Sequence, residues 1–386
     1  MTNHTSTKGR KAMGLLNKLF GNGISEELQT EIENRLKQTI EPVSQQDLLS
    51  LKSVSELQLK KKQLSLTISL PFPCKSLWPA LKQNLKHQLD SLEEIESVTV
   101  NWETKVVAHD VQKGATPLKN IKNIIAVASG KGGVGKSTTS VNLALALQQE
   151  GARVGILDAD IYGPSIPTML GTHSKPQSED GKTMKPVTAY GLQIMSIGFL
   201  IEEDSPMIWR GPIVTQTLTQ LLKETDWDEL DYLVIDLPPG TGDVQLTLAQ
   251  QIPVTGAIIV TTPQQVSLID AKKGLKMFEK VEIPILGVIE NMATHICSNC
   301  GHEEAIFGEH GGEELAKTYK VDFLGSLPLD KRIREEADMG KPTVTAEPGS
   351  AIAQKYRDIA HRTSAKIGTT KRNYGNLFPE IVIQNT

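Results

Sequence analysis

The run GKGGVGKST, from Gly130 to Thr138, contains the residue types that hold a phosphate group. Gly130, Gly135, Lys136 and Ser137 meet the pattern G-x-x-x-x-G-K-S/T, between an apolar segment and a helical one. Glycines, here also Gly132 and Gly133, let a backbone turn at positive φ and bring its N–H groups up to phosphate oxygens. The helix that follows points its positive dipole end at the same anion. Lys136 adds a compact charge for the β- and γ-phosphates, and the Ser137 hydroxyl is a ligand for Mg²⁺. A bare glycine turn requires neither flank. The loop, with Val134 and Thr138, predicts an ATP site.

Lys131, directly after the first glycine, gives the form KGGxGKS. With it the loop resembles the deviant Walker A ATPases, the class of nitrogenase iron protein, MinD, ParA and the arsenite-pump ATPase. The resemblance implies a dimer in which Lys131 reaches the partner's nucleotide and stabilises charge, as an arginine finger does. A solvated loop lysine is the plainer alternative.

Such an ATPase needs carboxylates to orient Mg²⁺ and the attacking water. GILDADIYGPS supplies Asp158 and Asp160 at a strand end. The class implies that Asp160 positions water, while Asp158 either joins the nucleotide site or fixes the strand's exit turn. YLVIDLPPGTGD leads to Asp236, the Walker B aspartate for the Mg²⁺ water shell, and then resembles a second switch loop. Asp243 either serves that switch or caps the helix beginning VQLTLAQQ, with capping favoured. In GVIENM, Asn291 follows a strand; the class uses an asparagine there to read the adenine edge, since an amide offers a donor and an acceptor. Asparagine also ends strands for conformational reasons.

Three cysteines, Cys74, Cys297 and Cys300, make no disulfide framework in 386 residues and fit a reducing cytoplasm. Cys297 and Cys300 form a C-x-x-C, two thiolates on one tight turn, suited to a metal centre. Two thiolates are half a ligand set. Either His295 or His302 joins them around zinc, or a twofold partner brings its own pair. A thioredoxin-like redox pair fits the flanks poorly.

These groups need a frame. From Asn123 onwards, apolar strands (NIIAVAS, RVGILDAD, YLVIDLPP, GAIIVTT, PILGVIEN) alternate with helical segments. The pattern predicts an α/β P-loop NTPase with a mostly parallel sheet covered by helices on both faces, its ligands beyond the strands' carboxyl ends. Ahead of it, EELQTEIENRLKQTI repeats Leu28, Ile32, Leu36 and Ile40 at helical spacing, QLSLTISL alternates as a strand, and a helix and the strand ESVTVNW follow. The expected division is a flexible terminus over 1–22, a small α+β domain over 23–102, a linker over 103–122, the ATPase domain over 123–366 and a tail over 367–386. A net charge of -4 gives no reason for general nucleic-acid binding. No apolar run approaches the roughly 18 residues that span a bilayer. The segment MGLLNKLFG reads as a frayed or lightly docked terminus rather than a signal peptide.

Together and in order, GKGGVGKST, DADIYGPSIP, IDLPPGTGD, IENM and CSNCGH resemble the Mrp/ApbC proteins, relatives of the cytosolic iron–sulfur scaffold ATPases. The resemblance runs from about Asn123 to about Ala360 and includes MSIGFL (Met195 to Leu200) and WRGP (Trp209 to Pro212). Residues 24 to 101 more loosely resemble an iron–sulfur assembly domain; Cys74 there is expected to be inert. The resemblance implies a homodimer that holds a 4Fe–4S cluster through Cys297 and Cys300 of each chain. It would take the cluster from an upstream scaffold or donor and pass it to apoproteins under ATP control. A MinD/ParA-like positioning ATPase is the alternative, though KIGTTKRNYGNLFPEIVIQNT, with its glycines and Pro379, makes a poor membrane helix. A dimer stapled by structural zinc is another. A reductase resembling nitrogenase iron protein would carry its cluster cysteines far apart in sequence.

Overall fold

The computed structural model describes residues 24–112, 115–201, 211–297 and 299–370. MGLLNKLFG, Trp209 and Arg210 of WRGP, and the tail beyond residue 370 lie outside the described residues. The chain forms two compact units that meet in sequence between Val106 and Val107.

In the first unit, helix α1 (Glu26–Gln38) starts where the Ser25 hydroxyl accepts the Leu28 N–H. It buries Leu28, Ile32 and Leu36. Ile40 does not extend that stripe: the helix stops at Gln38, ahead of Pro42, and Ile40 bridges to Asp47 with 46% exposure. Strands β1 (Val54–Lys60) and β2 (Gln63–Leu70) pair antiparallel. Helix α2 (Trp78–Asp90) then crosses over to β3 (Ser97–Thr104), parallel to β2. Alternation along β2 buries Leu64, Leu66, Ile68 and Leu70. Cys74 is fully buried.

The second unit has a sheet built from β4 (Ile121–Ala128), β5 (Val154–Asp158), β6 (Val187–Ala189), β7 (Leu192–Ser196), β8 (Leu230–Asp236), β9 (Gly256–Thr261), β10 (Ile285–Glu290) and, past a small hairpin of β11 (His295–Ile296) and β12 (Glu303–Glu304), β13 (Phe323–Ser326). Its eight strands run β13-β10-β9-β4-β8-β5-β7-β6, and only the β6–β7 pairing is antiparallel. β4, β5, β8 and β9 are buried almost throughout, which is why they read as continuous apolar runs.

Helix α3 (Lys136–Gln149) leaves the phosphate loop and is buried on nearly every side. C-terminal helices α4 (Thr343–Ala346) and α5 (Ala351–Gly368) clasp it. Asn142 Oδ1 accepts the Val344 N–H at 3.1 Å, and Glu150 at the end of α3 meets His361 at 3.0 Å. Within the stretch expected to be a linker, His109 and Gln112 are buried against this unit. His109 Nδ1 lies 3.0 Å from Asn123 Oδ1, and Gln112 Nε2 donates to the Ala249 carbonyl at 3.0 Å.

Candidate functional site

The loop from Gly130 to Gly135 joins the end of β4 to the start of α3, at the middle of the sheet. Two glycines there are required by geometry. At Gly130 a Cβ would lie 2.2 Å from the Asp270 backbone carbon, so the loop rests directly on the helix Gln265–Lys280. Gly135 has φ +81°, and a Cβ on it would lie 2.1 Å from Asn291 Nδ2. Around Gly132 and Gly133, among the described residues, no atom other than those of the adjacent residues comes within 4 Å of a Cβ position.

Below the loop, five side chains converge: Lys136, Ser137 and Ser140 from α3, Asp236 from the end of β8 and Asp160 from the loop after β5. Lys136 Nζ, nearly buried, lies 2.7 Å from Asp236 Oδ2 and 3.8 Å from Asp160 Oδ2. Ser137 Oγ donates to Asp236 Oδ2 at 2.6 Å, and Ser140 Oγ donates to Asp236 Oδ1 at 2.6 Å. Asp236 is fully buried at the end of β8, beside β4, so strand pairing carries it to the loop. This donor set, a hydroxyl and a carboxylate oxygen next to a lysine, fits Mg²⁺ and a triphosphate. Ser140 was not among the residues expected here; it stands one helical turn after Lys136, the only sequence signal for it.

Asp158 ends β5 directly opposite Asp236. Its oxygens face protein donors: the Asp160 N–H at 3.2 Å, the Ile166 N–H at 3.2 Å and Ser196 Oγ at 3.1 Å. The aspartate therefore holds the loop that carries Asp160. Burial, and then the neighbouring Asp236 carboxylate, push Asp158 up to about 7. Asp160 is raised too, by burial, against the opposing pull of Lys136.

Asp243 does not cap its helix: Gly242 occupies the N-cap and Asp243 is the first helical residue of Asp243–Gln251. With Gly242 extended at the N-cap, the helix starts at Asp243, one residue earlier than the sequence indicated. Lys131 is exposed and, among the described residues, makes no ion pair; its carbonyl accepts the Ser129 hydroxyl at 2.9 Å. Asn291 follows β10 and donates through Nδ2 to the Val134 carbonyl at 2.9 Å, which ties it to the phosphate loop.

Six residues further on, Cys297 and Cys300 sit at the tip of the β11–β12 hairpin, half-buried and exposed respectively. Its turn is closed by the Cys297 N–H to the His302 carbonyl at 2.9 Å and by the Gly301 N–H to the Cys297 carbonyl at 2.8 Å. Backbone N–H groups of Cys300 and Asn299 lower the Cys297 thiol below its ordinary value, which favours the thiolate. Among the described residues no group of three or more His, Cys, Asp or Glu side chains is arranged to hold a metal ion. His295 turns its Nδ1 to the Leu329 carbonyl at 2.9 Å instead.

Residues 120–364 match the family described as NUBPL iron-transfer P-loop NTPase, and residues 29–102 match iron-sulfur cluster assembly protein. An iron-sulfur cluster carrier protein of Haemophilus influenzae is 49% identical over 90% of this chain and 94% of its own length. The iron-sulfur cluster transfer protein NUBPL of Mus musculus is 49% identical over 67% of this chain and 81% of its own. Among solved structures, a nucleotide-binding protein of Archaeoglobus fulgidus in complex with ADP is 40% identical, covers 58% of this chain and 88% of its own, and superposes with a TM-score of 0.51. The chain belongs to the NUBPL iron-transfer P-loop NTPase family and carries an iron–sulfur assembly-type domain ahead of its NTPase unit.

Proposed function

We propose that this protein is an ATP-dependent iron–sulfur cluster carrier. It takes a 4Fe–4S cluster from an upstream scaffold or donor, holds it between two copies of the chain and passes it to apoproteins in the cytoplasm. One observation carries this reading: two thiols stand on a hairpin beyond the nucleotide-site strand, Cys297 seven residues past its last residue Glu290, and among the described residues no third donor joins them. A second copy supplies the missing pair. Soft thiolates suit iron–sulfur cargo.

In this mechanism the loop amides from Gly130 to Thr138 and the Lys136 ammonium bind the triphosphate. Ser137, and Asp236 through water, would hold Mg²⁺, which would neutralise phosphate charge. Asp160 orients water, Lys131 acts on the partner's nucleotide, and the Asn291 amide reads the adenine edge while bonded to Val134. Lys136 also pairs with Asp236, 2.7 Å away, which ties the phosphate-binding ammonium to the end of β8. ATP hydrolysis is coupled to loading or release of the cluster.

Transfer provides the test. Anaerobically reconstituted protein is mixed with an apo form of a 4Fe–4S enzyme, and the activity of that enzyme is followed. Recovery at a rate above that given by free iron and sulfide is the expected result. A chain that takes up zinc, shows no broad visible absorption and restores nothing would refute the reading.

A further inference from the structure

Asn291 belongs to two structures at once. Its backbone N–H closes the sheet against the Thr261 carbonyl at 2.7 Å, while its side chain reaches the phosphate loop at the Val134 carbonyl, 2.9 Å away. The fit is tight, because only a glycine at position 135 leaves room for Nδ2. The chain then kinks. Met292 has φ +57°, a left-handed conformation that a residue with a side chain adopts only when its surroundings impose it.

Beyond the kink the backbone is fixed again. The Ala293 N–H donates to the Leu327 carbonyl at 2.9 Å, and the Leu329 N–H to the Thr294 carbonyl at 2.8 Å. This two-stranded stem carries the cysteine hairpin outwards from His295. Between Val134 and Cys297 the path has one side-chain hydrogen bond, one constrained residue and one paired stem. Contiguous hydrogen-bonded and packed elements of this kind are the physical route by which coupling between two sites is carried, and measured coupling is what establishes it.

We propose that Asn291 and Met292 are positioning residues that set the cysteine hairpin against the phosphate loop, so that nucleotide occupancy alters the environment of Cys297 and Cys300 within a single chain. The biological meaning of this joint rests on the cluster-carrier reading; its physical basis does not. The adenine edge and the Val134 carbonyl both draw on the Asn291 amide, so filling the nucleotide site changes the load on the joint. Cross-subunit contacts add to this link and are not required for it.

The test reads thiols and needs no cluster. Metal-free, reduced protein is alkylated with iodoacetamide at a concentration where light scattering finds monomer, with and without ADP at saturation for each variant. Rates at Cys297 and Cys300 are followed by peptide mass spectrometry, with buried Cys74 as the internal reference. For the native chain, ADP is expected to change the rates about fivefold or more, the low end of ordinary coupling between sites. Asn291→Ala and Met292→Gly are each expected to shrink that change below about twofold. Met292→Gly retains the Asn291 side chain, relaxes the kink and removes the Met292 side chain that lies beside Gly135, so it decides the matter if Asn291→Ala binds ADP too weakly to saturate. A native chain without the change, or a saturated Met292→Gly variant with all of it, overturns the joint. A chain that shows the change but never accepts a cluster keeps the joint and rejects the carrier function.

Discussion

Lys136→Ala is expected to abolish ATP turnover and to weaken the nucleotide-free fold as well. Turnover should fall by at least about a hundredfold, the effect of removing one aimed charge or donor from a developing anion. The second effect arises from the buried pair with Asp236: Lys136 Nζ and Asp236 Oδ2 are 2.7 Å apart, at 6% and 0% side-chain exposure. Removing the ammonium leaves a carboxylate in the core with, among the described residues, the Ser137 and Ser140 hydroxyls as its hydrogen-bond partners. Breaking such a pair costs about 3–5 kcal/mol. Denaturant unfolding of the nucleotide-free variant measures it. Lys136→Ala/Asp236→Ala should recover much of the loss, since the stranded charge is gone. A variant that hydrolyses ATP at the native rate would remove Lys136 from the site.

Cys297→Ala should reduce bound iron and acid-labile sulfide to background after anaerobic reconstitution. Cluster ligation requires the thiolate, and no neighbouring donor among the described residues can replace it. The unfolding midpoint should hardly move, because the hairpin pairs through only two residues on each side and lies outside the core. Basal ATP turnover should persist. Iron and sulfide equal to the native content would place the cluster elsewhere.

The two sites differ in how much of them the sequence announces. The phosphate loop is legible because its chemistry is contiguous: glycines, lysine and serine lie side by side, between a strand and a helix. Asp236 is legible because it ends an apolar strand. Ser140 is not, since its partner Asp236 is 96 positions away and only sheet pairing brings them together. Asn291 is visible as a strand-ending residue, yet its bond to Val134 spans 157 positions. Asp158 shows the same limit: its carboxylate partners Ser196, on β7, a strand that no alternation in the sequence marked. Polarity misleads as well. His109 and Gln112 sit in a stretch that reads as solvated, but each finds a buried hydrogen-bond partner on the larger unit. Ile40 continues a four-residue repeat beyond the helix that generated it, because periodicity carries no information about the approaching Pro42.

The most direct measurement is metal and sulfide analysis of anaerobically reconstituted protein together with its mass in solution. If two chains grip one 4Fe–4S cluster, loaded protein should be a dimer with about two iron and two sulfide per chain. Loading should fail in any preparation held monomeric. A monomer that keeps about four iron and four sulfide would contradict the shared site.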